Sequence, residues 1–220
     1  MTSTAREVPT PVGPALIHVD GDGSGVLLLG HGAGGGIGQR GADLVAAAQA
    51  GRTAGLTVVH VEQPWRVAGR RVADAAPRLD LAWFAVASAV RADRTGPLVF
   101  GGRSSGARLA CRTARAVGAV GVLALAYPLH PPGRPDRSRL PELLLPDVPR
   151  LVVQGDRDAF GIPAASDGVA VHLVPGADHG FAVRKRDGRT PGQVQAEVRD
   201  AVGDWLRRLL AGGPAAQTLT

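Results

Sequence analysis

Cysteine, lysine and aromatic residues are scarce in this sequence. Cys111 is the only cysteine among 220 residues, so an intramolecular disulfide is excluded and a reducing compartment is expected. Lys185 is the only lysine, so arginine carries almost all of the positive charge. Aromatic residues make up 4% of the chain and hydrophobic residues 45%, which predicts a core built mainly of alanine, valine and leucine.

Long hydrophobic runs are also absent. The longest stretch without charged residues or histidine, residues 116–129, is shorter than the roughly 20 residues that a membrane-spanning helix needs. The first fourteen residues contain proline and charge where a signal peptide has an apolar segment. We therefore expect a soluble, cytoplasmic protein with no membrane partner.

The net charge of +6 does not by itself indicate a nucleic-acid partner. The arginines are scattered and lack interleaved aromatic residues, so a solvated basic surface is the preferred interpretation. One cysteine and six dispersed histidines supply no cluster of metal ligands at a recognised spacing. No metal and no cofactor are expected.

Short apolar runs alternate with helical patterns along the chain. Six runs are predicted as buried strands: residues 26–29, 56–61, 97–101, 120–126, 151–154 and 169–174. Between them, apolar residues at helical spacing include Leu79, Trp83, Val86 and Val90. Such alternation predicts a mainly parallel, twisted sheet flanked by helices. We expect one domain, 1–220, with its core at about 15–210 and flexible tails.

The last helix has the clearest start. Thr190 stands at the N-cap, Pro191 follows, and Gln193 occupies the position that completes a capping box.

Two other segments have no regular pattern: residues 63–77 are interpreted as a polar loop around Trp65, and residues 130–149 are rich in proline. The second is long enough for a short lid but not for a large cap domain.

The segment Gly102-Arg103-Ser104-Ser105-Gly106 lies between a predicted strand and a predicted helix. A Gly-x-Ser-x-Gly sequence in that context is typical of the nucleophile elbow of the α/β-hydrolase fold, where the residues two before and two after the serine must be small. Glycines flank Ser104 in this way, whereas Ser105 has Arg103 and Ala107 at the equivalent positions. Ser104 is therefore the candidate nucleophile.

A serine hydroxyl needs a base, and the base in turn needs an orienting acid. His179 lies in a loop between the last strand and the C-terminal helix, where the chain order nucleophile, acid, base places the histidine. Asp156 and Asp158 both follow the strand 151–154. We favour Asp158 as the acid, because Asp156 is more simply explained as a turn residue.

Residues 31–36 read His-Gly-Ala-Gly-Gly-Gly and follow the first predicted strand. This sequence is typical of an oxyanion loop, with backbone N–H donors expected at Ala33 and, after the nucleophile, at Ser105. A dinucleotide-binding loop is the alternative, since the glycines also fit Gly-x-Gly-x-x-Gly. Glu62, the acidic residue at the end of the next predicted strand, lies too far along the chain for that motif.

Several segments in order resemble one known family. They are Leu-Leu-Gly-His-Gly-Ala-Gly-Gly, Phe-Gly-Gly-Arg-Ser-Ser-Gly-Ala-Arg, Ala-Tyr-Pro-Leu-His-Pro-Pro-Gly, Val-Gln-Gly-Asp-Arg-Asp-Ala-Phe-Gly and Gly-Ala-Asp-His-Gly-Phe. The chain resembles the α/β-hydrolase-like family of the testis-expressed hydrolase-like proteins and the NSL-complex subunit, which is related to the dienelactone hydrolases. The resemblance implies the same three residues, Ser104, Asp158 and His179, and implies that His130 lines the site.

These features predict a serine hydrolase of a small carboxylic ester or thioester, monomeric or homodimeric, that works through an acyl-enzyme. A non-enzymatic interaction module with the same fold is the alternative. We expect the substrate to contact His31, Gly32, Arg66, Arg103 and His130.

A narrower hypothesis concerns specificity for anionic substrates. Arg66 and Arg103, with Arg70 and Arg71, would favour an acidic acyl or leaving group if they face the pocket mouth. Ordinary surface solvation of these arginines is the alternative.

Overall fold

The computed structural model describes residues 4–35 and 41–212. Within them, eight strands form one sheet in the order β1-β2-β4-β3-β5-β6-β7-β8. β2 pairs antiparallel with both β1 and β4, and the other pairs are parallel. The strands are β1 (Thr4–Val8), β2 (Ala15–Asp20), β3 (Val26–Gly30), β4 (Thr57–Glu62), β5 (Leu98–Arg103), β6 (Gly121–Leu125), β7 (Arg150–Gly155) and β8 (Val169–Val174).

Helices cover both faces of this sheet. They are α1 (Ala42–Thr53), α2 (Pro64–Val67), α3 (Ala76–Ala92), α4 (Ser105–Val117), α5 (Leu140–Leu143) and α6 (Pro191–Leu210), with a short 3-10 helix at Lys185–Asp187. The core of one face includes residues of α3 and α4, and the core of the other includes residues of α1 and α6. This is the α/β-hydrolase fold, and it carries no large cap domain.

The six predicted strands are confirmed, with ends that move by one or two residues. The predicted cap of α6 is also confirmed, since Thr190 and Gln193 form a reciprocal capping box. β1 and β2 were not predicted, and the expectation of a flexible tail before residue 15 is wrong for β1, which pairs along β2. The expected C-terminal tail lies outside the described residues from position 213, and Gly36 of the glycine-rich loop lies outside them as well.

Both segments without a regular pattern contain short helices. Residues 63–77 form α2 and the beginning of α3, and Trp65 is buried rather than part of a polar loop. Residues 130–149 contain only the four-residue α5. Across the described ranges, no helix is both long enough and apolar enough to cross a membrane.

The parallel strands bring three functional segments to one edge of the sheet. Gly30 at the end of β3 stands opposite Gly102 of β5, so the loop after β3 lies beside the beginning of α4. β7 and β8 end at the same edge, which places the segments after them near the same point. In open parallel sheets, sites form beyond the carboxyl ends of the strands.

Candidate active site

Ser104 lies at a sharp turn between β5 and α4. Its backbone has φ 53° and ψ −112°, a left-handed conformation that is strained for a residue with a side chain. The flanking glycines make the turn possible: a Cβ at Gly102 would come within 2.6 Å of the Gly106 carbonyl carbon, and one at Gly106 within 2.4 Å of the Gly30 oxygen. The backbone segments pass so close to each other at this turn that only glycine fits at positions 102 and 106, as predicted from the sequence.

Three side chains form a continuous hydrogen-bonded chain. His179 Nε2 lies 3.1 Å from Ser104 Oγ, and His179 Nδ1 lies 2.7 Å from Asp158 Oδ2. A carboxylate only accepts hydrogen bonds, so Nδ1 carries a proton and donates it to Asp158. Nε2 is then free to accept the hydrogen bond that the Ser104 hydroxyl donates.

The Asp158 carboxylate is buried and fully hydrogen-bonded. Its Oδ2 also accepts from Gln154 Nε2 at 2.7 Å, and its Oδ1 accepts from the Phe160 N–H at 2.8 Å. The other candidate acid, Asp156, is exposed and accepts instead from the Gly176 N–H at 2.8 Å. The geometry therefore brings Asp158 to the histidine and assigns Asp156 to a turn.

The loop around His179 is held by its own backbone and by an aromatic contact. Asp178 Oδ1 accepts from the N–H groups of Gly180 and Ala182 at 2.8 and 3.0 Å. The Phe160 ring lies with its centroid 4.3 Å from that of His179, tilted by 35°. These contacts fix the imidazole between the acid and Ser104.

Arg103 does not point freely toward a substrate. Its Nη2 donates to the His179 carbonyl oxygen at 2.8 Å, and its Nε forms an ion pair with Asp43 Oδ2 at 3.0 Å. Burial raises the pKa of the Asp43 carboxyl, and the charge of Arg103 opposes that shift. Arg103 therefore links the elbow to α1 and to the His179 loop, and its expected contact with the substrate stays a prediction.

His31 has a structural position in the loop after β3. Its Nδ1 lies 2.8 Å from the Gly32 oxygen, its Nε2 accepts from the Gln63 N–H at 3.4 Å, and its ring packs edge-on against Trp65. Burial lowers the pKa of His31, which favours a neutral imidazole that donates from Nδ1. Both ring nitrogens are occupied by backbone groups, and the expected contact of His31 with the substrate stays a prediction.

The two expected oxyanion donors belong to segments that meet near the nucleophile. A Cβ at Gly32 would come within 3.5 Å of Ser104 Cβ, so the loop after β3 passes directly over the elbow. Ala33 is exposed in the turn that follows, and Ser105 is the first residue of α4. An N–H group in the first turn of a helix has no partner within that helix.

His130 and Arg66 are the remaining residues expected to contact the substrate. The His130 N–H donates to the Phe160 oxygen at 2.9 Å, and a Cβ at Gly161 would meet His130 Nε2 at 2.4 Å. His130 therefore supports the loop of the acid. Arg66 lies in α2 and, in the part of the chain that the structure describes, its side chain forms no hydrogen bond or ion pair, whereas the side chain of Arg70 is paired with Asp74.

Gln154 and Asp43 are site residues that sequence reasoning missed. Gln154 had a signal, because it is a polar residue at the end of an otherwise apolar strand run and is completely buried. Asp43 had none, because its pairing with Arg103 depends on where α1 begins relative to the elbow.

Open space surrounds the elbow on two sides. A cavity of about 220 Å³ is lined by glycines of the loop after β3, by Arg103 and by Gly180. A smaller one lies against Ser105 and Gln63. A larger cavity, about 1040 Å³, lies between β8 and α6 and includes none of the three hydrogen-bonded residues. No group of histidine, cysteine and carboxylate side chains within residues 4–35 and 41–212 is arranged to hold a metal ion.

Comparison with known proteins agrees with the fold. The alpha/beta hydrolase domain family matches residues 23–207, and a search of curated proteins found no match. Among solved structures, a lidless α/β serine hydrolase from Xanthomonas campestris is 25% identical, with a TM-score of 0.74 over 99% of this chain and 98% of that one. A serine hydrolase homologue from Coxiella burnetii (19%, TM-score 0.70, 93% and 97%) and an esterase from Pyrobaculum calidifontis (16%, 0.66, 97% and 87%) share the fold. The chain belongs to the alpha/beta hydrolase domain family.

Proposed function

We propose that this protein hydrolyses a small carboxylic ester or thioester through an acyl-enzyme on Ser104. The hydrogen-bonded chain from Asp158 through His179 to Ser104 carries the proposal, because packing alone does not require these three groups to meet at a strained turn. As part of this proposal, the protein is related to the testis-expressed hydrolase-like proteins and the dienelactone hydrolases. The segments Gly-Gly-Arg-Ser and Tyr-Pro-Leu-His-Pro-Pro support this relationship.

In the first half-reaction, Ser104 Oγ attacks the carbonyl carbon while its proton passes to His179 Nε2. The carbonyl oxygen becomes an oxyanion and accepts hydrogen bonds from the N–H groups of Ala33 and Ser105. The intermediate then collapses, the bond to the leaving oxygen or sulfur breaks, and the alcohol or thiol departs with the proton from His179. Asp158 stays ionised and stabilises the imidazolium.

In the second half-reaction, water replaces the alcohol or thiol. His179 Nε2 removes a proton from water as its oxygen attacks the acyl carbon. Collapse of the second intermediate breaks the bond to Ser104 Oγ, which recovers a proton from His179, and the carboxylic acid leaves. Each proton taken up by the imidazole is returned, so the enzyme ends in its starting state.

Labelling with a fluorophosphonate probe tests the nucleophile. We expect the folded protein to be labelled at Ser104 and turnover of short p-nitrophenyl esters to be lost in Ser104→Ala, by about 10³-fold or more. Ser88→Ala, at an exposed position of α3, is the matched control and should retain labelling and turnover.

The second candidate is an interaction module that keeps the fold without turnover. It predicts no labelling of Ser104 under conditions in which a control hydrolase is labelled, and no difference between wild type and Ser104→Ala with any ester. That result would contradict the proposed hydrolase.

A further inference from the structure

A small cavity lies beside the elbow, between α4 and the segment that follows β4. Ser105, His31, Trp65 and Gln63 line it together with apolar side chains. The space open to the centre of a water-sized group is about 10 Å³, which is close to the smallest volume that holds one water molecule. The cavity therefore admits a single small group and nothing larger.

The Gln63 side chain faces this cavity without a partner. It is 4% exposed, and in the described part of the chain neither its Nε2 nor its Oε1 has a hydrogen-bond partner. Its backbone N–H is already used, because it donates to His31. Buried amide groups are nearly always hydrogen-bonded, so an unpaired one indicates a group that the protein chain itself does not supply.

The chemistry of the amide restricts what that group can be. Nε2 only donates and Oε1 only accepts. A hydroxyl both accepts and donates, so one hydroxyl satisfies both atoms. A carboxylate only accepts and an ammonium only donates, and either would leave one amide atom unpaired and bring a charge into a buried site.

The position of Ser105 connects the cavity to the acyl group. The Ser105 N–H is one of the two proposed donors to the substrate carbonyl oxygen, and the Ser105 residue is also part of the cavity wall. A substituent one or two carbons from that carbonyl therefore lies next to the cavity.

We infer that the cavity is a subsite for a hydroxyl on the acyl chain, so that the substrates are 2- or 3-hydroxyacyl esters or thioesters. The inference rests on the proposed hydrolase function. The hydroxyl accepts from Gln63 Nε2 and donates to Gln63 Oε1, and it takes the place of a water molecule.

Isosteric pairs of phenyl esters test the subsite. Glycolate is compared with propionate, and 3-hydroxypropionate with butyrate, because each pair exchanges a hydroxyl for a methyl group. The ratio of kcat/KM within a pair is divided by the ratio for hydrolysis by hydroxide, which removes the difference in intrinsic reactivity. We expect wild type to prefer the hydroxylated member of at least one pair by about tenfold, the scale of one buried hydrogen bond.

Gln63→Met should bring that ratio close to one, since it keeps the length of the side chain and removes the amide. Gln195→Met, on α6, is the matched control and should keep the wild-type ratio. Ala73→Leu fills the cavity from another part of its wall while Gln63 stays in place, and it should also abolish the preference. Fluorophosphonate labelling of Ser104 shows in each variant that the folded site is intact.

The outcomes distinguish a failure of the proposed hydrolase function from a failure of the proposed hydroxyl subsite. If no ester is hydrolysed by wild type, the proposed function fails. If esters are hydrolysed without a hydroxyl preference, or the preference survives in Gln63→Met, the cavity holds only a water molecule and the subsite is wrong.

Discussion

Arg103 connects the elbow to the loop that carries the base. It donates to the His179 carbonyl oxygen and pairs with buried Asp43, so we expect it to act as a positioning residue. Arg103→Met should lower kcat about 10- to 100-fold with little change in KM, because the imidazole loses its fixed position relative to Ser104. Arg103→Lys should recover part of the loss. Steady-state kinetics with one neutral and one anionic ester measure both constants.

The same experiment separates this role from the substrate contact that the sequence suggested. If Arg103 binds an anionic group, Arg103→Met will raise KM for the anionic ester and leave the neutral ester unaffected. Arg199→Met, at an exposed position of α6, is the matched control and should change neither constant.

At the scale of single residues, the sequence predicts those whose role follows from a local pattern. Ser104 has flanking glycines, and His179 and Asp158 follow strands in a fixed chain order, so a short motif and its context suffice. The role of Arg103 depends on Asp43, which is sixty positions earlier in the chain. No local pattern encodes that contact, because it arises when α1 packs beside the elbow.

At the scale of elements, the elbow depends on backbone contact between β3 and α4. A Cβ at Gly106 would lie 2.4 Å from the Gly30 oxygen, and neither backbone can move without disturbing the sheet. We expect Gly106→Ala to lower the free energy of unfolding by about 1–3 kcal/mol, the usual cost of overpacking. Urea denaturation measures it. Gly192→Ala is the control, since a Cβ there meets only Thr190 Oγ1 at 4.0 Å; an equal loss in both variants would contradict the steric explanation.

The capping box of α6 gives a second test at this scale. Thr190 Oγ1 accepts from the Gln193 N–H at 3.2 Å, and the Gln193 side chain accepts from the Thr190 N–H at 2.8 Å. Thr190→Ala should cost about 1 kcal/mol of unfolding free energy, because the Gln193 N–H loses its partner. Thr190→Ser keeps the hydroxyl and should stay close to wild type in the same denaturation experiment. A similar loss in both would assign the effect to the methyl group.

The sequence predicts the strands and helices that have a clear hydrophobic pattern of their own. It does not predict the elements that form only because of contacts with neighbouring elements. β3, β5, β6 and β7 are buried along almost their whole length, so their apolar runs are unbroken. β1 and β2 lie at one side of the sheet, are partly exposed and contain charged and polar residues. Neither shows a clear alternation of apolar and polar residues. α2 has four residues, and it is fixed by the packing of Trp65 against His31 rather than by helical periodicity.

At the scale of the whole molecule, the scarce aromatic residues are concentrated in the core. Trp65, Trp83 and Trp205 are all at most 2% exposed, among side chains that are mostly alanine, valine and leucine. This confirms the expected composition of the core. The placement of the large rings on both faces of the sheet could not be predicted, because it depends on how α3 and α6 cross the strands.

The buried imidazole of His31 links the stability of the molecule to pH. Burial holds the pKa of His31 below its ordinary value of 6.5 in the folded state, whereas in the unfolded chain it returns to that value. Between these two values the unfolded state binds more protons, so stability is full above about pH 6.5 and is lost as the pH falls below it. We expect the urea midpoint of wild type to decrease between pH 7.5 and 5.5. His31→Asn keeps a donor toward the Gly32 oxygen without a titrating ring, and its midpoint should fall less over the same range. An equal decrease in both proteins would mean that other groups control the acid sensitivity, and that the neutral state of His31 does not contribute to it.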